Sequence, residues 1–101
     1  MTVKPIFAKK EDLNRLLEWC SDAPEYQKKL SQYLEDRDDT SVVIVEEHEI
    51  LAIALLKVQE TEKKGYIWIY SKNKDVQSHP DIMQFSLNWL RKQGAKEYNV
   101  I

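Results

Sequence analysis

At 101 residues the chain has enough surface for one well-buried core and too little for two. Its 43% apolar and 32% charged residues exclude a disordered chain, and its net charge of −2 supplies no cationic face of the kind that duplex nucleic acid requires. The single cysteine, Cys20, excludes an internal disulfide, and the longest apolar run, residues 50–56, is too short to cross a bilayer, so one cytoplasmic domain over residues 1–101 is the expectation.

In chain order, "VKPIF" reads as a short strand, 3–7, leading into a helix over 10–20. Leu13, Leu16, Leu17 and Cys20 recur at i, i+3, i+4 and i+7, with Glu11, Asp12, Arg15 and Glu18 on the opposite side. Cys20 therefore reads as a buried thiol on the core side of that helix. A second helix begins near Asp22, a capping residue type, and Pro24, which suits a first turn. Tyr26, Leu30, Tyr33 and Leu34 form its apolar stripe.

Residues 41–71 differ in kind, because β-branched and aromatic residues dominate and breaks fall at "EEHE" and "ETEKKG". Strands are predicted over 41–46, 50–59 and 65–71, joined by tight antiparallel connections. Val42, Val43, Ile44 and Val45 are apolar at consecutive positions, as are residues 50–56, which predicts a sheet covered on both faces. "SHPDIMQFSLNWLRKQG" carries Ser78 as a cap, Pro80 and Asp81 for the first turn, Arg91 and Lys92 for the last, and Gly94 beyond. Ile82, Phe85, Ser86 and Trp89 share one face of this helix, with Met83, Leu87 and Leu90 beside it. "AKEYNVI" closes the chain as a strand, 95–101. A long helix separates it from the strand at 65–71, so the two are predicted to run parallel.

The order β-α-α-β-β-β-α-β, the hairpin "VVIVEEHEILAIALLKV" and the helix and strand "SLNWLRKQGAKEYNVI" resemble the GNAT superfamily of acyl-CoA N-acyltransferases over essentially the whole chain. The resemblance implies an α/β (α+β) fold, a mixed sheet with helices on both faces, here lacking the family's C-terminal helix and strand pair. It also implies where chemistry belongs. In the family, the junction between the strand at 65–71 and the following helix holds the pyrophosphate of acetyl-CoA through a loop of the form Gln/Arg-x-x-Gly-x-Gly/Ala, whose glycines let backbone N–H groups approach the phosphates. Counted back from Trp89, that loop falls on "KDVQSH", 74–79, which has no glycine. Starting the loop at Gln77 instead sets Pro80 and Ile82 at the glycine positions, and a proline has no N–H to offer. If acyl-CoA or free CoA binds, the groups available to hold it are Lys72, Lys74, Gln77, Ser78 and His79.

A general base, which many family members carry as a Glu on the preceding strand, has no counterpart in "GYIWIYS", where a tyrosine with an ordinary pKa near ~10 is a poor base at neutral pH. Glu60 and Glu62 read as a solvated hairpin tip. The family's further helix and strand pair, which forms much of the acceptor site, would begin where Ile101 stands.

These departures lead to a non-catalytic or vestigial GNAT-like module with no cofactor expected, acting as a homodimer or binding a protein partner through the sheet edge at 95–101. The alternative is an acetyl-CoA-dependent N-acetyltransferase with an unconventional loop. Tyr66, Trp68 and Tyr70 alternate on one face, with Lys72 and Lys74 after them, which raises single-stranded nucleic-acid stacking as a weaker alternative to packing under a helix. His48 and His79 lack partners at metal-ligand spacing, and "EDRDD", 35–39, lacks the glycine and terminal glutamate of a calcium loop, so it reads as a solvated helix end and no metal is expected.

Overall fold

The computed structural model describes residues 5–35, 39–46, 50–71 and 80–100. Strand β1 spans Pro5–Phe7, a 3-10 turn spans Lys10–Asp12, and helices α1 and α2 span Leu13–Trp19 and Pro24–Glu35. Strands β2, β3 and β4 follow at Thr40–Glu46, Ile50–Gln59 and Lys64–Ser71; helix α3, Pro80–Lys92, and strand β5, Glu97–Val100, complete the order. This is the predicted succession of elements, with boundaries moved by more than one residue at two places among the described residues. The helix predicted over 10–20 opens as a tighter 3-10 turn, because the Asp12 carboxylate accepts the Lys9 N–H at 2.9 Å and draws the entry inward. The final strand begins at Glu97 because Gly94 and Ala95 are used to end α3. Gly94 adopts φ +95°, its N–H donates to the Arg91 carbonyl, and the Ala95 N–H donates to the Leu90 carbonyl, both at 3.0 Å; this is the paired closure that a glycine just past a helix permits.

The sheet runs β1-β2-β3-β4-β5, antiparallel throughout except for the parallel β4–β5 pair. β2 and β3 pair from Thr40↔Lys57 to Glu46↔Ile50, with the register shifting between Val45 and Glu46. Consecutive apolar positions are buried on both faces, as predicted. Val42, Ile44, Ile53 and Leu55 join Leu16, Cys20, Tyr26, Leu30 and Leu34 in one core under α1 and α2. Val43, Val45, Ala52, Ala54, Leu56 and Val58 join Ile67, Ile69, Ile82 and Leu90 in a second core under α3. The two cores lie back to back across one sheet. Cys20 is fully buried, its thiol donating to the Leu16 carbonyl at 3.1 Å, as the periodicity requires.

α3 presents a face shifted from the predicted one. Ile82, Ser86 and Leu90 form its buried centre, while Phe85 and Trp89 flank it half-buried. The cause is Gly65 on β4: a Cβ there would lie 2.8 Å from both Leu90 methyl carbons, so the missing side chain is the socket that Leu90 occupies. Ser86 is tolerated at the centre because its hydroxyl donates to the Ile82 carbonyl at 2.7 Å. Outside the cores, Arg15 joins Asp12 at 3.0 Å and Glu46 at 2.6 Å, tying the start of α1 to the end of β2. Among the described residues no helix is long and apolar enough to cross a membrane.

Gly65→Ala is expected to destabilise the fold by about 1–3 kcal/mol, the usual cost of overpacking a filled core. In Gly65→Ala/Leu90→Ala the socket and its occupant are relieved together, so the double variant should cost less than the two single costs added. Denaturant melts of the three variants check both statements; simple additivity would show that Leu90 does not depend on Gly65.

Candidate functional site

All five residues offered by sequence as cofactor ligands, Lys72, Lys74, Gln77, Ser78 and His79, lie outside the described residues, as do His48 and most of the acidic run at 35–39. The described chain brackets them: β4 ends at Ser71 and α3 begins at Pro80, so the segment does join a strand end to a helix start. The exposed Glu60 and Glu62 lie in the β3–β4 connection, as expected of a solvated tip.

The chemistry that the described residues do assemble stands on the other side of β4. Alternation turns Trp68 and Tyr70 toward α1 and α2, where they join the first core, so the aromatic strand packs under helices rather than forming an open stacking platform. Tyr26, from the first turn of α2, wedges between them. Its ring meets Trp68 edge-on at 5.0 Å and Tyr70 at 5.2 Å, and Trp19 meets Tyr70 edge-on at 5.4 Å. These are the separations at which aromatic pairs attract beyond their buried area.

The Tyr26 hydroxyl reaches the sheet backbone. It lies 2.9 Å from the carbonyl oxygens of both Ile53 and Trp68, so its one proton is shared between β3 and β4. Burial, followed by the neighbouring Cys20, raises its pKa well above the ordinary value of 10, against a backbone hydrogen bond from Tyr70 that acts the other way. Tyr26 is therefore a neutral strut. Tyr70 is held as a proton donor too: its hydroxyl donates to Asp22 Oδ1 at 2.7 Å, and that bond, with burial and the Asp22 charge adding to it, pushes its pKa up to about 12. Asp22, read from sequence as a helix cap, is thus a partner of β4, 48 positions away.

Beside these aromatics lies a groove of about 360 Å³, lined by Ala23, Pro24, Glu25, Tyr26, Trp68 and Tyr70. Its size is at the small end of the roughly 300–1,000 Å³ usual for ligand sites. The lining is mostly carbon, with Glu25 as its one acidic residue, and Asp22 holds the hydroxyl of Tyr70, one of its walls. Nothing local in the sequence marks it, because Pro24, Glu25 and Tyr26 reach it from the first turn of α2 while Trp68 and Tyr70 reach it from the sheet. Among the described residues no group of three His, Cys, Asp or Glu side chains could hold a metal.

A second surface lies at the β5 edge. Tyr98 and Val100 stand opposite Gly65 and Ile67, on the face that α3 covers, yet they remain 50% and 53% exposed. The described β4–β5 pairing covers Lys64–Ile67 only, so the half of β4 that lines the groove lies beyond it.

Comparison with solved structures gives this architecture a name. The chain matches the "Ribosomal-protein-alanine N-acetyltransferase from Brucella melitensis biovar Abortus 2308" at TM-score 0.65 and 9% identity, over 98% of its own length and 78% of that chain. It matches a "probable acetyltransferase" at TM-score 0.62 and 17% identity, covering 97% and 78%, and "a possible acetyltransferase from Clostridium difficile 630" at TM-score 0.58 and 9% identity, covering 100% and 80%. No family profile and no curated protein sequence matches the chain. The fold is GNAT-like, an α+β domain with a five-stranded mixed sheet; at these identities the likeness speaks for the fold alone.

The Tyr70–Asp22 bond makes a prediction about titration. Asp22→Asn is expected to bring the Tyr70 pKa down from about 12 toward 10, followed by phenolate absorbance. Because the folded-state value is the raised one, the stabilisation from this bond is fully present below pH ~10 and is lost as pH rises toward about 12. The wild-type protein should therefore lose its stability advantage over Asp22→Asn across that window, as alkaline denaturation midpoints would show.

Proposed function

We propose that this chain is a GNAT-fold binding module that does not transfer acyl groups. The observation that carries the reading is the state of Tyr70. β4 carries no carboxylate or histidine, and its tyrosine at the groove is hydrogen-bonded to Asp22 with a pKa of about 12, so β4 presents no base at neutral pH. Tyr26 is equally withdrawn, its hydroxyl engaged with two backbone carbonyls. The absence of glycine from 72–79 supports the same reading, since a close backbone cradle for pyrophosphate depends on glycine.

A second reading, an acetyl-CoA-dependent N-acetyltransferase, draws on the names of the three structural neighbours and on the stretch of β4 beyond its described pairing with β5, whose backbone could bond an amide-bearing chain such as that of CoA. In that reading Lys72, Lys74, Gln77, Ser78 and His79 supply the charge and hydrogen bonds that a glycine loop would otherwise provide. Thermal melts with acetyl-CoA and with CoA separate the two. A ligand at a hundred times its Kd adds about 2.7 kcal/mol, a rise of roughly 10 °C or more for a domain of this size. The binding-module reading expects no saturable rise at millimolar ligand; a saturable rise selects the second reading.

The partner of this module is proposed to be a second copy of the chain. β5 carries two half-exposed apolar side chains on one face of an edge strand, and an antiparallel, two-fold pairing of β5 with β5 would cover both copies at once. Sedimentation of the wild type should show a concentration-dependent dimer, and Val100→Lys should be monomeric with an unchanged fold. A monomer at all concentrations would transfer the proposal to a different protein partner.

A further inference from the structure

Phe85, Asn88, Trp89 and Lys92 recur at i, i+3, i+4 and i+7 along α3, which makes them one stripe beside its buried centre of Ile82, Ser86 and Leu90. The stripe flanks β1, the edge strand of the sheet. Phe7 of β1 turns to this face half-exposed, with its ring 4.8 Å from that of Phe85. Together the five side chains line a groove of about 210 Å³ on the opposite face of the sheet from the Tyr26 groove. Sites for drug-sized ligands run to roughly 300–1,000 Å³, so an occupant here is about one ring in size.

The polar side-chain groups that this groove offers are donors. Trp89 has only its indole N–H and Lys92 only ammonium N–H groups. Asn88 could serve either way, but its Oδ1 accepts the Gln84 amide at 3.1 Å one turn back, which leaves its Nδ2 for the groove and for Lys92 one turn on. An acceptor is what such a rim satisfies. A carboxylate can accept from Lys92 and Asn88 together, whereas an ammonium would meet donors with donors and leave its own N–H groups without partners.

The charge agrees with the donor set. Among the described residues, Lys92 is the one charged member of the lining, and the ion pairs they form belong to Arg15. Asp81, the acid of α3, stands eleven residues before Lys92, about 16 Å along the helix at ~1.5 Å per residue and beyond the ~10 Å screening length of 0.1 M salt. Glu46 on β2 is held by Arg15. Past β1, Lys9 and Lys10 balance Glu11 and Asp12 and add no net sign. The C-terminus of α3 carries roughly half a negative charge, but Arg91 and Lys92 outweigh it and its last carbonyls accept the N–H groups of Gln93, Gly94 and Ala95. The groove favours an anion.

We infer that the groove bounded by Phe7, Phe85, Trp89 and Lys92 binds a small aromatic monocarboxylate, with its ring against the three aromatic side chains and its carboxylate on the Lys92 ammonium and the Asn88 amide. One cation matches one carboxylate. The site shares no residue with the Tyr26 groove or with the β5 edge, so it stands independently of whether the chain transfers acyl groups or pairs with a second copy.

The test uses the intact protein and three probes that differ in charge on a common ring: sodium benzoate, benzyl alcohol and benzylammonium chloride, each at ionic strength matched with sodium chloride. The Trp89 indole N–H is followed by NMR and assigned with Trp89→Phe. Benzoate should shift it saturably with a millimolar Kd, with benzyl alcohol several-fold weaker and benzylammonium weaker still. Lys92→Gln, an exposed change, should weaken benzoate several-fold, the effect of a partly exposed ion pair, and leave benzyl alcohol unaffected, while Lys92→Arg should retain benzoate. Asn88→Asp, which replaces the amide donor with a second anion, should remove benzoate binding altogether. Equal response to benzoate and benzyl alcohol, tighter binding of benzylammonium, indifference of benzoate to Lys92→Gln, or no shift with any probe would overturn the inference.

Discussion

β3 sits at the centre of the sheet with its backbone paired on both sides and its side chains from Ala52 to Leu56 buried on both faces. A strand in that position cannot be left open to water on either face without exposing several apolar side chains at once, each worth on the order of 1.5–3 kcal/mol when buried. Helices must therefore cover both faces, and the chain supplies α1 and α2 before the meander and α3 after it. What differs between the faces is how the helix is fixed. On one side a cavity in the sheet, Gly65, receives Leu90 from α3. On the other, a polar pin from α2, the Tyr26 hydroxyl, reaches through the aromatic layer to the backbone of β3 and β4.

The pin has consequences for the groove. A buried hydroxyl must be satisfied, and here two carbonyls compete for its single proton, which places the Tyr26 ring close against Trp68 and Tyr70. The Tyr26 ring fills the space beneath those two side chains and leaves them standing half-exposed, with Pro24 and Glu25 facing them from the same first turn of α2. The opening is thus bordered by a rigid layer that the fold requires in any case. Asp22 then holds Tyr70 by its hydroxyl, so the wall of the groove is oriented from the loop that precedes α2.

Most of the architecture was legible from local pattern. The consecutive β-branched and aliphatic residues of β2 and β3 announced double burial, the short breaks announced antiparallel hairpins, and the long helix before "EYNVI" announced the parallel strand. The site was not legible, for reasons of distance. Asp22 looked like a cap and Tyr26 like one member of a helical stripe, because a periodicity argument sees only neighbours three and four positions away. Their partners on β4 are 48 and 42 positions further along. The same limit explains α3: spacing alone gave the helix a broad apolar surface but could not choose Leu90 over Trp89 as its centre, since the choice was made by the absence of a side chain at Gly65.

Tyr70 shows how a single contact can decide what chemistry a strand supports. A tyrosine beside a groove can act as a hydrogen-bond donor at neutral pH, and it becomes a base only if its surroundings favour the phenolate, as a nearby cation would. Asp22 does the reverse. It accepts the proton and adds a negative charge beside it, so each unit by which the Tyr70 pKa rises makes the phenolate tenfold rarer. At neutral pH Tyr70 is thereby held as a proton donor, tied to the loop that precedes α2.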